Sequence, residues 1–305
     1  MNTNKLLTIT GPTATGKTRL AALVANKLQG EIISADSRQV YKGMNIGTGK
    51  DYEDYIVNGI NTPFHLVDIA DAGSEYNVYS FQNDFLIAYQ QIIQRGNTPI
   101  LCGGTGMYIE SVLAGYKLIN TPINEEFRLS LKDKTNEELE IQLSQLKSLH
   151  NITDTSNRER LIRAMEIINH ETTSFEMLDF PKITNTLIGI WFEREFIRQR
   201  ITQRLMLRLK SGMIEEIEQL IRNGLTTEQL KFYGLEYRYI TMYINNEIGY
   251  DEMFGLLNTA IHQFAKRQMT WFRRMEKNGF KIHWIDGQKN ETEKVEEIVK
   301  LYFEA

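Results

Sequence analysis

Short apolar runs alternate with amphipathic stretches in the first third of the chain. Runs of apolar and β-branched residues predict strands at residues 6–10, 31–35, 65–69 and 98–102. Between them, residues 18–28 and 80–95 repeat apolar positions every three to four residues, which predicts helices. Strands that alternate with helices indicate βαβ units and therefore a parallel sheet.

The pattern changes between about residues 123 and 173, where charged residues surround a thin Leu/Ile stripe. This segment predicts a small group of helices without a strand. From Thr186 the sequence TLIGIWF predicts a buried strand that returns to the first sheet. Two long helices are predicted at about residues 196–223 and 250–278, followed by a strand at 281–286 and a charged helix.

The turn after the first predicted strand fits the phosphate-loop pattern G-x-x-x-x-G-K-[ST] with Gly11, Pro12, Thr13, Ala14, Thr15, Gly16, Lys17 and Thr18. In such a loop, backbone N–H groups and the positive end of the next helix attract an anion. Lys17 adds a mobile positive charge, and the Thr18 hydroxyl can reach a Mg²⁺ ion on the same phosphates. The motif indicates a phosphate chain and leaves the chemistry open.

Together these features predict an α/β fold, a P-loop-type parallel sheet flanked by helices with a small all-helical insertion domain. The core is predicted to be discontinuous and to comprise residues 1–120 and 182–305, and the insertion comprises residues 121–181. A chain of 305 residues is long enough to bury a sizeable core in this arrangement.

Two polar segments follow predicted strands, where open α/β sheets place their ligands. Asp36 and Ser37 come directly after the second strand, and the Asp36 carboxylate could be a Mg²⁺ ligand, a general base or an N-cap. Thr105 follows the turn Gly103-Gly104 and is either a functional hydroxyl or a helix cap. Position alone leaves these alternatives open.

Arginines line one of the two predicted long helices. They form rows at i, i+4 spacing that consist of Arg194 and Arg198, and of Arg200, Arg204 and Arg208. Because aligned like charges repel and few acids lie nearby, the rows favour a polyanion over a solvated face. That polyanion is either pyrophosphate or nucleic acid.

Aromatic and basic residues are interleaved in two further segments, residues 231–240 and 264–274. Such segments can stack bases and bind a nucleic-acid backbone, although packed aromatic residues or an amphipathic helix explain the same pattern. The net charge of −4 argues against wholesale binding of polyanions and leaves room for local basic faces.

The composition, with 42% hydrophobic and 24% charged residues, is that of an ordinary globular protein. The single cysteine, Cys102, excludes an internal disulfide and a cysteine-rich zinc site, and its setting PILCGG predicts packing at a strand end. No run approaches the roughly 20 apolar residues of a membrane span. The first apolar run leads straight into the phosphate loop, so a cytoplasmic protein without membrane contact is expected.

Six segments, taken together and in order, make the chain resemble the tRNA dimethylallyltransferase (isopentenyltransferase) family. They are GPTATGKT at 11–18, DSRQVYKGMNIGT at 36–48, GGTGMY at 103–108, NRERLIRAMEI at 157–167, RQRITQRL at 198–205 and AKRQMTWFRR at 265–274. The combination spans nearly the whole chain, whereas a kinase would share only the first segment.

The resemblance implies transfer of a dimethylallyl group from dimethylallyl diphosphate to N6 of the tRNA adenosine 3′ of the anticodon. The phosphate loop would then hold the diphosphate of the donor, with Thr18 beside Mg²⁺ and Lys17 neutralising the leaving group. Asp36 would hydrogen-bond the adenine amino group and act as the base, and Thr105 would contact the adenine or assist Asp36. Asp36, Thr105 and Lys17 are the implied catalytic residues.

The resemblance also implies that the insertion binds the anticodon stem-loop and that the protein acts as a monomer. The implied tRNA-binding residues are Asp36, Ser37, Arg38, Gln39, Thr105, Arg128, Glu159, Arg160, Leu161, Ile162, Arg163, Tyr237, Arg238, Arg267 and Gln268. The chain departs from the family's Gly-Tyr-Arg or Gly-Tyr-Lys triplet, because two residues separate Gly234 from Tyr237. Either Tyr237 and Arg238 fill the same role in a reshaped loop, or that contact has moved to other residues.

Three other functions remain as alternatives. An adenylate isopentenyltransferase would prenylate free AMP, ADP or ATP, but it would need no basic insertion to clamp a stem-loop. A phosphate-loop small-molecule kinase would consume ATP with a small acceptor. A non-catalytic RNA-binding protein would have no use for the intact GKT sequence and Asp36.

Overall fold

The computed structural model describes residues 5–146, 158–171 and 180–304. The chain forms two compact units, one made of residues 1–115 and 182–305 and the other of residues 116–181. The insertion therefore begins at Tyr116, whereas its sequence boundary was predicted at residue 121. Residues 147–157 and 172–179, which include Asn157 of the matched NRERLIRAMEI segment, lie outside the described residues.

A parallel sheet organises the first unit. The strands in chain order are β1 (Leu6–Thr10), β2 (Gly30–Ser34), β3 (Ile56–Val57), β4 (Ile60–Asn61), β5 (Phe64–His65), β6 (Thr98–Gly103), β7 (Asn185–Trp191) and β8 (Ile282–Asp286). In the described part of the chain, six of them pair in the order β5-β2-β6-β1-β7-β8, with every pair parallel. Strands β3 and β4 form a separate antiparallel hairpin. The predicted fold class is confirmed.

Helices flank the sheet and build the insertion. The first unit contains α1 (Lys17–Leu28), α2 (Val78–Gln94) and α3 (Gly106–Leu113) before the insertion. The insertion contains α4 (Glu125–Ser130), α5 (Asn136–Leu146) and α6 (Arg158–Glu171). The first unit resumes with α7 (Arg194–Lys210), α8 (Met213–Arg222), α9 (Thr227–Phe232), α10 (Leu235–Ile244), α11 (Tyr250–Lys277) and α12 (Glu291–Glu304).

Two buried apolar clusters hold the first unit together. One joins the sheet to α1 and α12 through residues such as Ile9, Val24 and Ile298. The other packs α7, α8, α10 and α11 against the segment after β2, with Tyr41 and Tyr237 in its centre. Burial of apolar surface stabilises both clusters. The segments that follow β1 and β2 contribute residues to the second cluster, which holds them against the helices.

Two sequence predictions about elements are wrong in their extent. The strand predicted at 65–69 ends at His65, because Leu66 (φ 62°) and Asp68 (φ 56°) adopt left-handed backbone conformations. The helix predicted at about 196–223 is divided into α7 and α8 at Gly212, whose φ is 98°. Among the described residues, no helix is both long and apolar enough to span a bilayer.

A buried carboxylate stabilises the sheet near the amino end of β2, opposite the carboxyl ends that lead into the phosphate loop and the Asp36 turn. Glu31 is only 3% exposed and accepts hydrogen bonds from Arg95 (two of 2.8 Å), Asn97 (2.7 Å) and His65 (2.7 Å). Burial raises the pKa of Glu31, but these hydrogen bonds outweigh it and lower the pKa to about 2. The ionised carboxylate therefore contributes stability above about pH 4.5, which is lost as the pH falls towards 2.

We expect Glu31→Gln to lower the free energy of unfolding by about 2–3 kcal/mol at pH 7, since charge-assisted hydrogen bonds are lost. Urea unfolding between pH 7 and pH 3 measures this, and the difference from the unsubstituted protein should shrink as the pH falls. Glu53→Gln, at an exposed position, is the control. An equal loss at every pH would contradict the linkage to Glu31.

Candidate active site

The phosphate loop runs from the end of β1 to the start of α1. Gly11, Ala14 and Gly16 have positive φ values of 149°, 65° and 76°, so the chain curls back on itself. A Cβ atom at Gly11 would lie 2.5 Å from the carbonyl oxygen of Ile190, which restricts this position to glycine. The loop therefore has the curled backbone that directs N–H groups towards an anion.

Lys17 is folded into this loop. Its Nζ donates to the carbonyl oxygen of Pro12 (2.7 Å) and to Thr15 Oγ1 (3.4 Å). Burial lowers the pKa of Lys17 to about 8, with Arg204 lowering it further and Asp36 opposing the change. Because burial destabilises the Lys17 ammonium, a bound anion would stabilise its charged form and raise its pKa. This coupling is expected of a lysine in a phosphate site.

Two arginines of the second row of α7 reach the same loop. Arg200 Nε donates to the carbonyl oxygen of Ala14 (2.9 Å), and Arg204 Nη2 donates to Thr13 Oγ1. Burial, together with the neighbouring Arg208, lowers the pKa of Arg204 to about 10. The contacts of Arg200 and Arg204 favour a phosphate chain as the polyanion that the row binds, whereas Arg208 pairs with Asp51 at 2.9 Å.

The first arginine row lines a cavity of about 1000 Å³ between α7 and α11 that reaches Pro12. Arg194 and Arg198 lie on one side of it, and Lys266 and Arg273 lie on the other. Glu193 and Glu195 also line this cavity, so its walls carry charges of both signs with cations in excess.

Asp36 begins the turn that follows β2. Its Oδ1 accepts hydrogen bonds from the backbone N–H groups of Arg38 (2.9 Å) and Gln39 (3.4 Å). This oxygen therefore forms an Asx turn, and in the described residues 37–51 no helix follows for Asp36 to cap. Within the described residues, Oδ2 has no recorded hydrogen-bond partner and is available to a substrate.

Thr105 joins the Asp36 turn to the neighbouring loop. It occupies the N-cap position of α3, but its side chain makes no capping hydrogen bond. Instead its Oγ1 accepts from the Ser37 N–H (3.0 Å), and its own N–H donates to the carbonyl oxygen of Ala35 (3.1 Å). A Cβ atom at Gly103 would lie 2.2 Å from that oxygen. The two loops are therefore fixed against each other beside the phosphate loop.

No sequence pattern indicates Glu216, which supports the later part of the DSRQVYKGMNIGT segment. Its carboxylate accepts from the N–H groups of residues 45–47 at 2.9, 2.7 and 3.1 Å and from the Tyr237 hydroxyl at 2.8 Å. Lys50, whose side chain is 1% exposed, binds Asp68 at 2.5 Å and the carbonyl oxygen of Tyr41. No local spacing connects these partners, because they meet only through the fold.

The structure corrects the role of Tyr237. This side chain is 1% exposed and its hydroxyl is bound to Glu216, so it is a core residue and not a tRNA contact. Arg238 is exposed, with its guanidinium 6.0 Å from the ring of Tyr239. Helical periodicity explains the difference, since adjacent residues of α10 point in different directions.

Gln268 also lies inside the protein and is not on a tRNA-facing surface. It is 8% exposed, and both ends of its side-chain amide are bound to the first unit's own loops. Its neighbour Arg267 is exposed and lies 5.9 Å from the ring of Phe264. On the Asp36 turn, Arg38 lies 5.8 Å from the ring of Phe232. Gln39 Nε2 donates to the carbonyl oxygen of Gly49 (2.9 Å).

In the second unit, a buried carboxylate orders two of the predicted arginines. Glu166 accepts from Arg128 (2.7 and 3.0 Å), from Arg163 (3.0 Å) and from the Asn124 N–H (3.1 Å). Burial raises the pKa of Glu166, but these bonds lower it to about 2. Both arginines are thus held by an internal ion pair, and Arg163 Nη2 also donates to the carbonyl oxygen of Thr121 (2.6 Å).

The rest of the insertion motif divides between the core and the surface. Leu161 is completely buried in a cluster with Leu143 and Met165, which contradicts its prediction as a tRNA contact. Ile162 packs partly against this cluster. Glu159 and Arg160 are exposed.

Thr18 meets the requirements of a Mg²⁺ ion carried mainly by phosphates. It lies in the first turn of α1 and is half-buried. In the described parts of the chain, no group of three or more His, Cys, Asp or Glu side chains could hold a metal ion. Mg²⁺ binds through one or two protein oxygens plus substrate phosphates and waters, so one hydroxyl beside the loop fits it.

Cys102 takes no part in this chemistry. It is buried at the end of β6, as its sequence setting predicted. Burial raises the pKa of its thiol to about 12, which keeps it protonated and unreactive at neutral pH.

Fold and site together define a phosphate-loop α/β enzyme that places an anion site beside a carboxylate on a neighbouring strand end. A family model described as IPP transferase matches residues 39–275, and one described as isopentenyl transferase matches residues 4–61. The chain belongs to the IPP transferase family.

Relatives and solved structures agree over nearly the full length. A tRNA dimethylallyltransferase of Bacteroides fragilis is 53% identical over 95% of both chains, and one of Parabacteroides distasonis is 50% identical over 99% of this chain and 98% of that one. The crystal structure of a tRNA isopentenylpyrophosphate transferase from Bacillus halodurans superposes with a TM-score of 0.69. It is 30% identical and covers 98% of this chain and 99% of that chain. A eukaryotic dimethylallyltransferase described as acting on tRNA shares the fold at 22% identity, with a TM-score of 0.74 over 93% and 74% of the two chains.

Proposed function

We propose that this enzyme transfers the dimethylallyl group of dimethylallyl diphosphate to N6 of the tRNA adenosine 3′ of the anticodon, releasing diphosphate. The observation that carries the proposal is the juxtaposition of a cationic phosphate loop with the unengaged Oδ2 of Asp36. Membership of the IPP transferase family and relatives named tRNA dimethylallyltransferases support it.

On the donor side, the N–H groups of the phosphate loop bind the diphosphate. Lys17 and Arg204 balance the charge that grows on the leaving oxygen as the C–O bond breaks. The Thr18 hydroxyl would hold Mg²⁺, and the bound ion would help to neutralise the negative charge of the diphosphate. These groups are stronger partners of the departing diphosphate than of the intact donor, and this is how they accelerate the reaction.

On the acceptor side, N6 of adenine attacks C1 of the dimethylallyl group while the C–O electron pair leaves with the diphosphate. The new C–N bond makes N6 acidic, and Asp36 Oδ2 accepts its proton. Thr105 assists by fixing the Ser37 N–H and hence the turn that Asp36 begins. Geometry that holds both reactants supplies much of the rate.

On the RNA side, the adenosine must leave the base stack to reach Asp36. The exposed Arg160 of the second unit and Arg38, Ser37 and Gln39 of the first unit are the proposed contacts. Arg128 and Arg163 would support them by holding α6 in place through Glu166. The enzyme would act as a monomer in the cytoplasm, where tRNA is found.

To test this, the protein is incubated with Mg²⁺, labelled dimethylallyl diphosphate and one of three acceptors. The acceptors are unmodified tRNA, tRNA in which inosine replaces the target adenosine, and AMP. Label entering only the unmodified tRNA supports the proposal. Label on AMP would instead indicate an adenylate isopentenyltransferase, and label on neither acceptor would contradict both. ATP consumption with a small acceptor would point to a kinase.

A further inference from the structure

One side chain of α11 links the donor loop to the acceptor loop. Gln268 Oε1 accepts a hydrogen bond of 2.8 Å from the Thr13 N–H of the phosphate loop. Its Nε2 donates one of 2.8 Å to the carbonyl oxygen of Gly104, in the loop that carries Thr105. A side-chain amide has an N–H donor and a carbonyl acceptor, so one glutamine can bind a backbone N–H group in one loop and a backbone carbonyl in another.

The surrounding structure leaves Gln268 little freedom. The residue is 8% exposed, and a Cβ atom at Gly104 would lie 2.5 Å from its Nε2. Six residues further along α11, Arg274 donates to the buried Glu110 of α3 at 2.7 Å. This ion pair holds α11 against α3, and the buried Gln268 lies between the two loops that its amide joins.

The link also shapes the phosphate loop. The Thr13 N–H is engaged by Gln268 and therefore does not point at the anion, while Thr13 Oγ1 is held by Arg204. Thr105, on the other side of Gly104, fixes the Ser37 N–H beside Asp36. One amide thus connects, through two short backbone segments, the group that holds the diphosphate and the group that accepts the proton.

We propose that Gln268 is a positioning residue that sets the separation between the diphosphate donor and Asp36, and that it does not contact tRNA. The inference rests on the proposed prenyl transfer. Displacement of reacting groups by about 1 Å can cost about 100-fold in rate, so a link of this kind affects the chemical step more than binding.

The test compares Gln268→Met, which keeps the side-chain length but makes neither hydrogen bond, with Gln268→Asn, whose amide is too short to join both partners. Lys277→Met, at an exposed position of the same helix and outside the cavity between α7 and α11, is the control. We expect both Gln268 variants to lower kcat by about 10- to 100-fold, with the KM values for dimethylallyl diphosphate and tRNA changing by less than about threefold. The control should keep the unsubstituted kcat.

The melting temperature and the fraction of folded enzyme are measured for each variant, so that kcat refers to folded molecules. If Gln268→Met fails to fold, Gln268→Asn carries the test. A kcat per folded molecule equal to that of the unsubstituted protein, or a raised KM with unchanged kcat, would overturn the inference. Absence of prenyl transfer by the unsubstituted protein would instead refute the proposed function, so the two failures are distinct.

Discussion

Replacement of Asp36 by asparagine is expected to lower kcat by about 10²- to 10⁴-fold, the range typical of a lost general base, while tRNA binding persists. The amide oxygen of asparagine can still accept from the Arg38 and Gln39 N–H groups, so the turn keeps its shape. The amide cannot take the proton of N6. Turnover measured with labelled donor, together with tRNA binding measured by filter retention, separates the two functions of this side chain.

Asp36→Ala extends the comparison, because alanine removes both the proton acceptor and the hydrogen bonds to the turn. We expect it to lose the same turnover and, in addition, about 1 kcal/mol of stability from the lost hydrogen bonds. Asp71→Asn, at an exposed carboxylate that pairs with Lys42, is the control and should leave kcat unchanged. Turnover retained by Asp36→Asn would exclude Asp36 as the base.

Residues near the ends of predicted strands were the part of the site that the sequence could place. Lys17, Asp36 and Thr105 all follow strands of one parallel sheet, and parallel strands bring their carboxyl ends to one edge. Apolar periodicity was sufficient to find those strands. It failed at residues 66–68, where the left-handed backbone of Leu66 and Asp68 ends β5 within the segment HLVDI.

Residues that act through long-range contacts could not be placed in this way. Glu216 lies on α8 yet orders residues 45–47, and Gln268 lies on α11 yet binds Thr13. Neither belongs to a spacing pattern with its partner, because tertiary packing alone brings them together. The spacing of Arg200 and Arg204 did predict a cationic row, but only the fold shows that the row faces the phosphate loop.

Residues that adjoin within one sequence motif differ in whether their side chains are buried or exposed. Tyr237 and Arg238 adjoin in sequence, as do Leu161 and Arg160, and in each pair the apolar member is in the core. A motif records which residues occur together and does not separate those that build the fold from those that face a substrate. The exposed Arg160 and Arg238 therefore remain the stronger predictions for contact with RNA.

Lys17→Ala is expected to lower kcat/KM for dimethylallyl diphosphate by about 10²- to 10³-fold, since a cation is removed from the place where leaving-group charge develops. Lys27→Ala, at an exposed position of the same helix, should have no such effect. Binding of tRNA should persist in both variants, because Lys17 is engaged with Pro12 and Thr15 inside the loop.

The pH dependence gives this prediction a second and independent readout. The pKa of Lys17 is lowered to about 8 in the free protein, so the ammonium is present below that pH and is lost above it. Since kcat/KM reports the ionisation of the free enzyme, it should fall as the pH rises through about 8 in the unsubstituted protein. Lys17→Ala has no such group, so its low kcat/KM should not fall in this way, after correction for any ionisation seen with both proteins. A decline of equal size in the variant would assign the ionisation to another group, and unchanged kinetics at every pH would exclude Lys17 from the donor site.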